Sequence, residues 1–268
     1  MEHKVKPLYI VVGVVIAVLM IGGAALLTSR GGAATSASSS PTSSAPSAAP
    51  SPDDATGGAS EETPGADGEQ EQGQEGQEQS QEELLLSIPK RNPDDSAAIG
   101  DVDAPVVITE WFDYRCPFCS AFNEETLPQL QRYVDEGKVR IEFRDFAVFG
   151  PDSEYAAVAA RAAGKQGKQI EFMDALFAKL PNKGHPPVDE AIVTDVAQSV
   201  GVPDMAKFKQ DLGSEELRNA VLAQSYEAQQ FGLSSVPAFL VHTQFISGAQ
   251  PAEVFKQTID AELAKAES

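Results

Sequence analysis

The chain has 268 residues, 42% of them hydrophobic and 22% charged, with 40 acidic residues against 20 Lys and Arg and a formal net charge of −20. That balance offers nothing to a phosphate backbone, so nucleic acid is not expected as a partner. The first 83 residues lack the composition of a packed core, which leaves 84–268 as the folded region and makes a single folded unit from end to end untenable.

Leu8 to Leu27 carries no charge and is rich in Val, Ile, Leu, Ala and Gly. At 1.5 Å per residue it reaches about 30 Å, the hydrocarbon thickness of a bilayer. Lys4 and Lys6 precede it and Arg30 follows, so positive-inside counting places residues 1–7 in the cytoplasm and everything after the span outside. Residues 8–28 are therefore expected to form a single transmembrane anchor. A cleaved signal peptide would have a shorter apolar core, roughly 7–15 residues. The small residues at 33–37 could still admit a peptidase, and either reading exports the domain.

Residues 29–83 pass from a Ser/Ala/Pro tract into a Gly/Glu/Gln tract, and between 31 and 83 they hold eleven acids and no Lys or Arg. Such a segment cannot bury enough apolar surface to offset its ordering entropy, so a disordered spacer is expected.

Leu84-Leu85-Leu86 opens the folded region, and Gly100 to Pro105 turns the chain into a strand at about Val106 to Phe112. Apolar residues fall on both parities there, as in a central strand covered on both faces. After Cys116 a helical pattern follows: Phe118, Phe122, Leu127, Leu130 and Val134, with Pro128 expected to kink it and Gly137 to end it. Val139 to Phe146 alternates apolar residues with Arg140, Glu142 and Arg144, which predicts a strand with one polar edge or face. From about 152 to 231 the pattern is helical, with four or so helices interrupted at Gly164, Pro181 to Pro187, Gly201 to Pro203 and Gly213, and with Ser214 starting the longest. A strand pair follows, Ala238 to Val241 and Phe245 to Ser247. The last helix runs from Pro251 to Ala264, its apolar positions Val254, Phe255, Ile259 and Leu263.

Cys116 and Cys119 are the two cysteines of the chain, spaced Cys-Pro-Phe-Cys directly after the first strong strand. Zinc needs four ligands, and His185 and His242 are not at finger spacing, so no metal is expected. A purely structural disulfide closing so short a loop would stabilise little. Thiol–disulfide exchange remains. At a strand-to-helix junction, free N–H groups and the helix dipole lower the pKa of Cys116, making it the nucleophile, while Cys119, one turn on, points inward as the resolving thiol. Arg115 adds a neighbouring positive charge or is simply solvated. Glu110 lies in the apolar strand with Ile108 and Phe112 on its own face. It is either a buried carboxylate with a raised pKa, able to move a proton to or from Cys119, or a carboxylate that reaches solvent at the strand's end.

The strand-Cys116-Pro117-Phe118-Cys119-helix element, Glu110 six residues upstream, the inserted helices, and Ser234-Ser235-Val236-Pro237-Ala238 resemble the DsbA-like disulfide oxidoreductases of the thioredoxin superfamily. The resemblance covers about 97–266. It implies an α/β, thioredoxin-like fold over 84–268 with an inserted helical subdomain, preceded by the transmembrane helix and the disordered linker. It further implies a redox-active Cys116–Cys119 disulfide, a cis Pro237 against it, and a Val236 backbone that pairs with substrate in strand fashion. Phe118 departs from the His that the Gram-negative periplasmic oxidase of the family carries, and Phe supplies neither charge nor hydrogen bonds to a thiolate.

These features lead to the expectation of a membrane-anchored, monomeric, extracytoplasmic disulfide oxidase. It would need no cofactor, act on reduced exported proteins, and be reoxidised by a membrane quinone-linked partner. Two alternatives stand beside it: a reductase or isomerase of the same fold, and an anchored peptide-binding module whose cysteines are inert.

Overall fold

The computed structural model of the protein describes residues 81–266. The expected anchor and nearly all of the expected linker lie outside the described residues, and within these no helix is long and apolar enough to cross a membrane.

Helix α1 (81–86) leads through an irregular arm to β1 (Ala98–Ile99) and β2 (Val106–Phe112). Next come α2 (Pro117–Ala121), a π-helical turn (Phe122–Thr126), α3 (Leu127–Asp135) and β3 (Val139–Asp145). Five helices then precede the next strand: α4 (Pro151–Gly164), α5 (Gln169–Lys179), α6 (Glu190–Ser199), α7 (Met205–Asp211) and α8 (Glu215–Gln230). The chain finishes with β4 (Ala238–Val241), β5 (Gln244–Ser247) and α9 (Ala252–Ala266). The breaks among the helices fall where Gly and Pro predicted them. Asp189, Asp204 and Ser214 cap α6, α7 and α8 by accepting from Ile192, Lys207 and Leu217 N–H groups.

The sheet order is β1-β3-β2-β4-β5, with β2 and β3 parallel and the other pairs antiparallel. All seven residues of β2 are buried, the consequence of a central strand covered on both faces. Ile108 and Phe112 face a continuous core shared by the inserted helices, α2, α3 and α9. Trp111 and Leu240 face the other way, against Ile88, Phe231 and Leu233. Gly100 has φ +89°, and a Cβ there would lie 2.4 Å from the Val139 carbonyl oxygen, so the turn into β2 needs glycine.

Two sequence expectations, for Phe118 and Val254, require correction, and the polar face of β3 takes an added detail: Arg140, Glu142 and Arg144 are all buried, beneath the arm at 87–96. The Glu142 carboxylate accepts from the Lys90 and Arg91 N–H groups, both at 2.8 Å, and pairs with Arg140 and Arg144, so alternating charges here make a buried ion cluster. Pro128 lies inside an unbroken helical run over 117–135, directly after the π turn Phe122–Thr126, so the irregularity of the helix falls at the proline, whose missing N–H interrupts the ladder. Phe118 leaves the apolar stripe and is 65% exposed. Val254 is likewise exposed at the surface of α9.

Candidate active site

Cys116 ends the β2 extension and occupies the N-cap of α2, with Pro117 in the first turn. Its carbonyl accepts the Ser120 N–H at 3.0 Å, and its own N–H donates to Asp113 O at 3.1 Å, which fixes the strand-to-helix corner. Both cysteines are free thiols and both are buried. They differ in environment. The hydrogen bond from Cys119 lowers the Cys116 pKa below 9.0, the N–H groups of Cys119 and Phe118 add to this, and burial and Asp113 work against it. Cys119 is held well above its ordinary value, first by burial, then by its hydrogen bond with Cys116 and by the charges of Cys116 and Glu110.

The other expected site residues converge on this pair from β2 and β4. Cys116 Sγ lies 3.7 Å from the Val236 carbonyl oxygen, and the Val236–Pro237 peptide bond is cis. Pro237 is buried and Val236 half-buried at the start of β4. Glu110 pairs in register with Phe143 and Phe239 and is 3% exposed. Of the two readings left open for Glu110, the structure has the buried one. Burial above all, and then the charge of Cys116, push its pKa well above the usual carboxylate range. Phe122, Phe239 and Phe255 pack together with ring centroids 4.4 to 5.2 Å apart, so the ground behind the thiols is apolar. Phe118 alone among these residues stands out in solvent, at the rim.

Of its two sequence readings, Arg115 departs from the solvated one: its side chain is only 11% exposed and its guanidinium is bonded to backbone carbonyls. Asp113 went unnoticed in the sequence. Its buried carboxylate accepts from Arg115 N–H at 2.8 Å and from the Val148 and Phe149 N–H groups at 2.8 and 3.3 Å, tying a second loop to the cysteine corner. An Asp between Phe112 and Tyr114 at the end of an apolar strand was the available signal, since a buried acid there requires donors. Among the described residues no cluster of His, Cys, Asp or Glu could hold a metal.

An exposed apolar rim, a depressed thiol pKa at a helix start, a second thiol sealed in the core and a carboxyl behind it suit two-step thiol–disulfide exchange. A family model for thioredoxin matches residues 92–261. Over 168 residues the chain is 29% identical to disulfide bond formation protein D of Bacillus subtilis, spanning 62% of this chain and 76% of that one. The crystal structure of oxidised BdbD from Bacillus subtilis superposes with a TM-score of 0.59 and 28% identity, over 63% of this chain and 92% of that one. Wolbachia pipientis alpha-DsbA1 shares the fold, at a TM-score of 0.58 and 22% identity over 69% and 97% of the two chains.

Proposed function

The chain belongs to the thioredoxin family and is a thiol:disulfide oxidoreductase, and we propose that it works as a disulfide donor to exported proteins through Cys116 and Cys119. The observation that carries the assignment of roles is the asymmetry of the thiols. Cys116, with its pKa lowered beside the Val236 carbonyl, is the sulfur that substrate meets; Cys119, sealed in the core with its pKa raised, is not.

In the oxidised enzyme the two sulfurs are bonded. A substrate thiolate attacks Cys116 Sγ, the Cys116–Cys119 bond breaks, and Cys119 leaves as a thiolate that takes up a proton. Glu110, whose pKa burial raises well above the usual carboxylate range, is the acid that supplies it. A second substrate thiolate attacks the substrate sulfur of the mixed disulfide and expels Cys116 as a thiolate, a good leaving group because its pKa is low. Two electrons pass from the substrate dithiol to the enzyme; of the two protons the dithiol gives up, one restores the Glu110 carboxyl and the other goes to solvent, because Cys116 stays a thiolate. A membrane quinone-linked partner removes the electrons in the next half-cycle. Meanwhile the Val236 backbone beside Pro237 pairs with the substrate in strand fashion.

The apolar stretch at 8–28 and the acidic, uncharged-by-Lys spacer after it support a single-pass anchor with the domain at 84–268 outside the membrane. One anchor and no heptads support a monomer. Phe118 favours the second reading, a reductase or isomerase, because it brings no charge or hydrogen bond to the Cys116 thiolate. The test is a Cys119→Ala variant in membranes of the expressing cell. Mixed disulfides are expected, formed as the Cys116 thiolate attacks disulfides of exported proteins and expels their second sulfur as a thiolate; a variant that traps none refutes a role in exchange and favours an inert binding module.

A further inference from the structure

We infer that Arg115 is a positioning residue that fixes the wall beside Cys116 against which a substrate peptide lies, and that it does not act by its charge on the thiolate. The inference rests on the oxidoreductase reading above. Arg115 Nε donates to Pro186 O at 2.6 Å, Nη1 to Phe149 O at 2.7 Å and Nη2 to His185 O at 2.6 Å. Its fourth neighbour is the Asp152 carboxylate, 3.8 Å from Nη2. The donors of the planar fork thus point at two loops that come from 34 and about 70 residues away in the chain, and the side chain is only 11% exposed.

The Phe149 loop is also held by Asp113 through the Val148 and Phe149 N–H groups, whereas the loop at 181–189 has fewer ties of its own. Residues 181–189 have no regular structure and contain Pro181, Pro186 and Pro187, which lack N–H donors. Within that stretch Val188 N–H reaches Asp152 at 3.4 Å, and His185 Nδ1 lies 3.2 Å from the Arg115 carbonyl oxygen. The Phe149 and His185 rings stack with centroids 3.5 Å apart, so the two loops close on each other once Arg115 holds their backbones. The result borders the nucleophile: a narrow recess is lined by Cys116 and Pro117 on one side and by Leu180, Pro181 and Pro186 on the other. A wall of this kind lowers the freedom of a bound peptide only while it stays fixed.

The charge reading and the positioning reading predict different results for Arg115→Lys and Arg115→Met. A lysine keeps the charge but is a point donor that cannot span three carbonyls held in a fork. In the full-length protein, titration of the Cys116 thiolate by absorbance and oxidation of a two-cysteine peptide are measured side by side. Positioning predicts that both variants leave the Cys116 pKa where it was and raise KM for the peptide roughly fivefold or more, with kcat changed less. A Cys116 pKa that rises in Arg115→Met and is restored in Arg115→Lys overturns it, as does an unchanged KM in both. Should either variant fail to fold, Phe149→Ala removes the ring stacked on His185 while leaving the backbone carbonyl of Phe149 in place. A raised KM there supports the wall, and an unchanged KM overturns it. A wild-type protein that oxidises no peptide refutes the functional reading and this inference with it, whereas a working wild type matched by its variants refutes the inference alone.

Discussion

Replacing Glu142 with Gln removes the charge from a carboxylate that is fully buried and accepts from the Lys90 and Arg91 N–H groups and from the guanidinium groups of Arg140 and Arg144. Breaking a buried ion cluster by deleting one partner costs about 3–5 kcal/mol, because the remaining charges stay buried. Arg140 keeps its bonds to the Gly100 and Asn92 carbonyls at 3.2 and 2.6 Å, and Arg144 keeps Asp95 at 2.9 Å, which places the cost at the lower end, about 3 kcal/mol. For a domain of this size that is a drop of roughly 6–12 °C in Tm. Burial would raise the Glu142 pKa, but the Lys90 N–H, Arg144 and the other donors outweigh it and hold the value below 4.5. A depressed carboxylate contributes stability that is present above the unfolded pKa and lost as pH falls through the folded one. The gap between wild type and Glu142→Gln should therefore be full at pH 7 and narrow below about pH 4.5, measured by urea unfolding at each pH. A loss of about 0.5 kcal/mol at pH 7, the worth of an exposed pair, would show that the cluster does not hold the arm onto the sheet.

Alkylation of the reduced protein should label Cys116 and spare Cys119, with a rate that inflects below the ordinary thiol pKa of about 8.5; an inflection at or above that value contradicts the lowered Cys116 pKa. Glu110→Gln should stabilise the reduced protein. A carboxyl whose folded pKa is raised binds its proton more tightly when folded, so the wild type loses stability as pH climbs above 4.5, and the variant's gain grows over the same range and vanishes below it. The same variant should slow peptide oxidation roughly 100-fold, as loss of a general acid does; full activity would remove Glu110 from the proton path. Phe118→His places a protonatable ring beside the thiolate from an exposed position and should make the protein more oxidising by about 30 mV, equivalent to about 1.4 kcal/mol. A potential that stays put in equilibration with glutathione would mean that residue 118 does not face the thiolate.

How much of this was legible in the sequence depends on how far each residue's partners lie along the chain. The Cys-Pro-Phe-Cys corner is a local construction of strand end, N-cap and first helical turn, so its position alone indicated which thiol would be depressed and which sealed. The burial of β2 followed from apolar residues on both parities. The polar face of β3 was legible, but its burial was not; the lid that covers it is an arm some fifty residues earlier, whose backbone N–H groups leave no pattern in composition. Arg115 and Asp113 were misread or missed for the same reason. Their partners are the backbone atoms of Phe149, His185 and Pro186, in loops that only the fold brings to the cysteines. Phe118 broke its apparent helical stripe because the active-site turn presents that residue outward, which periodicity from Phe122 onward could not register.

The central claim is that Cys116 and Cys119 form a redox pair poised to give its disulfide away. The most direct measurement is the equilibrium of the purified domain's dithiol and disulfide forms against glutathione. A disulfide donor is expected to lie toward about −120 mV, where DsbA sits, and to pass its disulfide to a reduced two-cysteine peptide. A value near about −270 mV, where thioredoxin sits, would reverse the electrons and contradict the account.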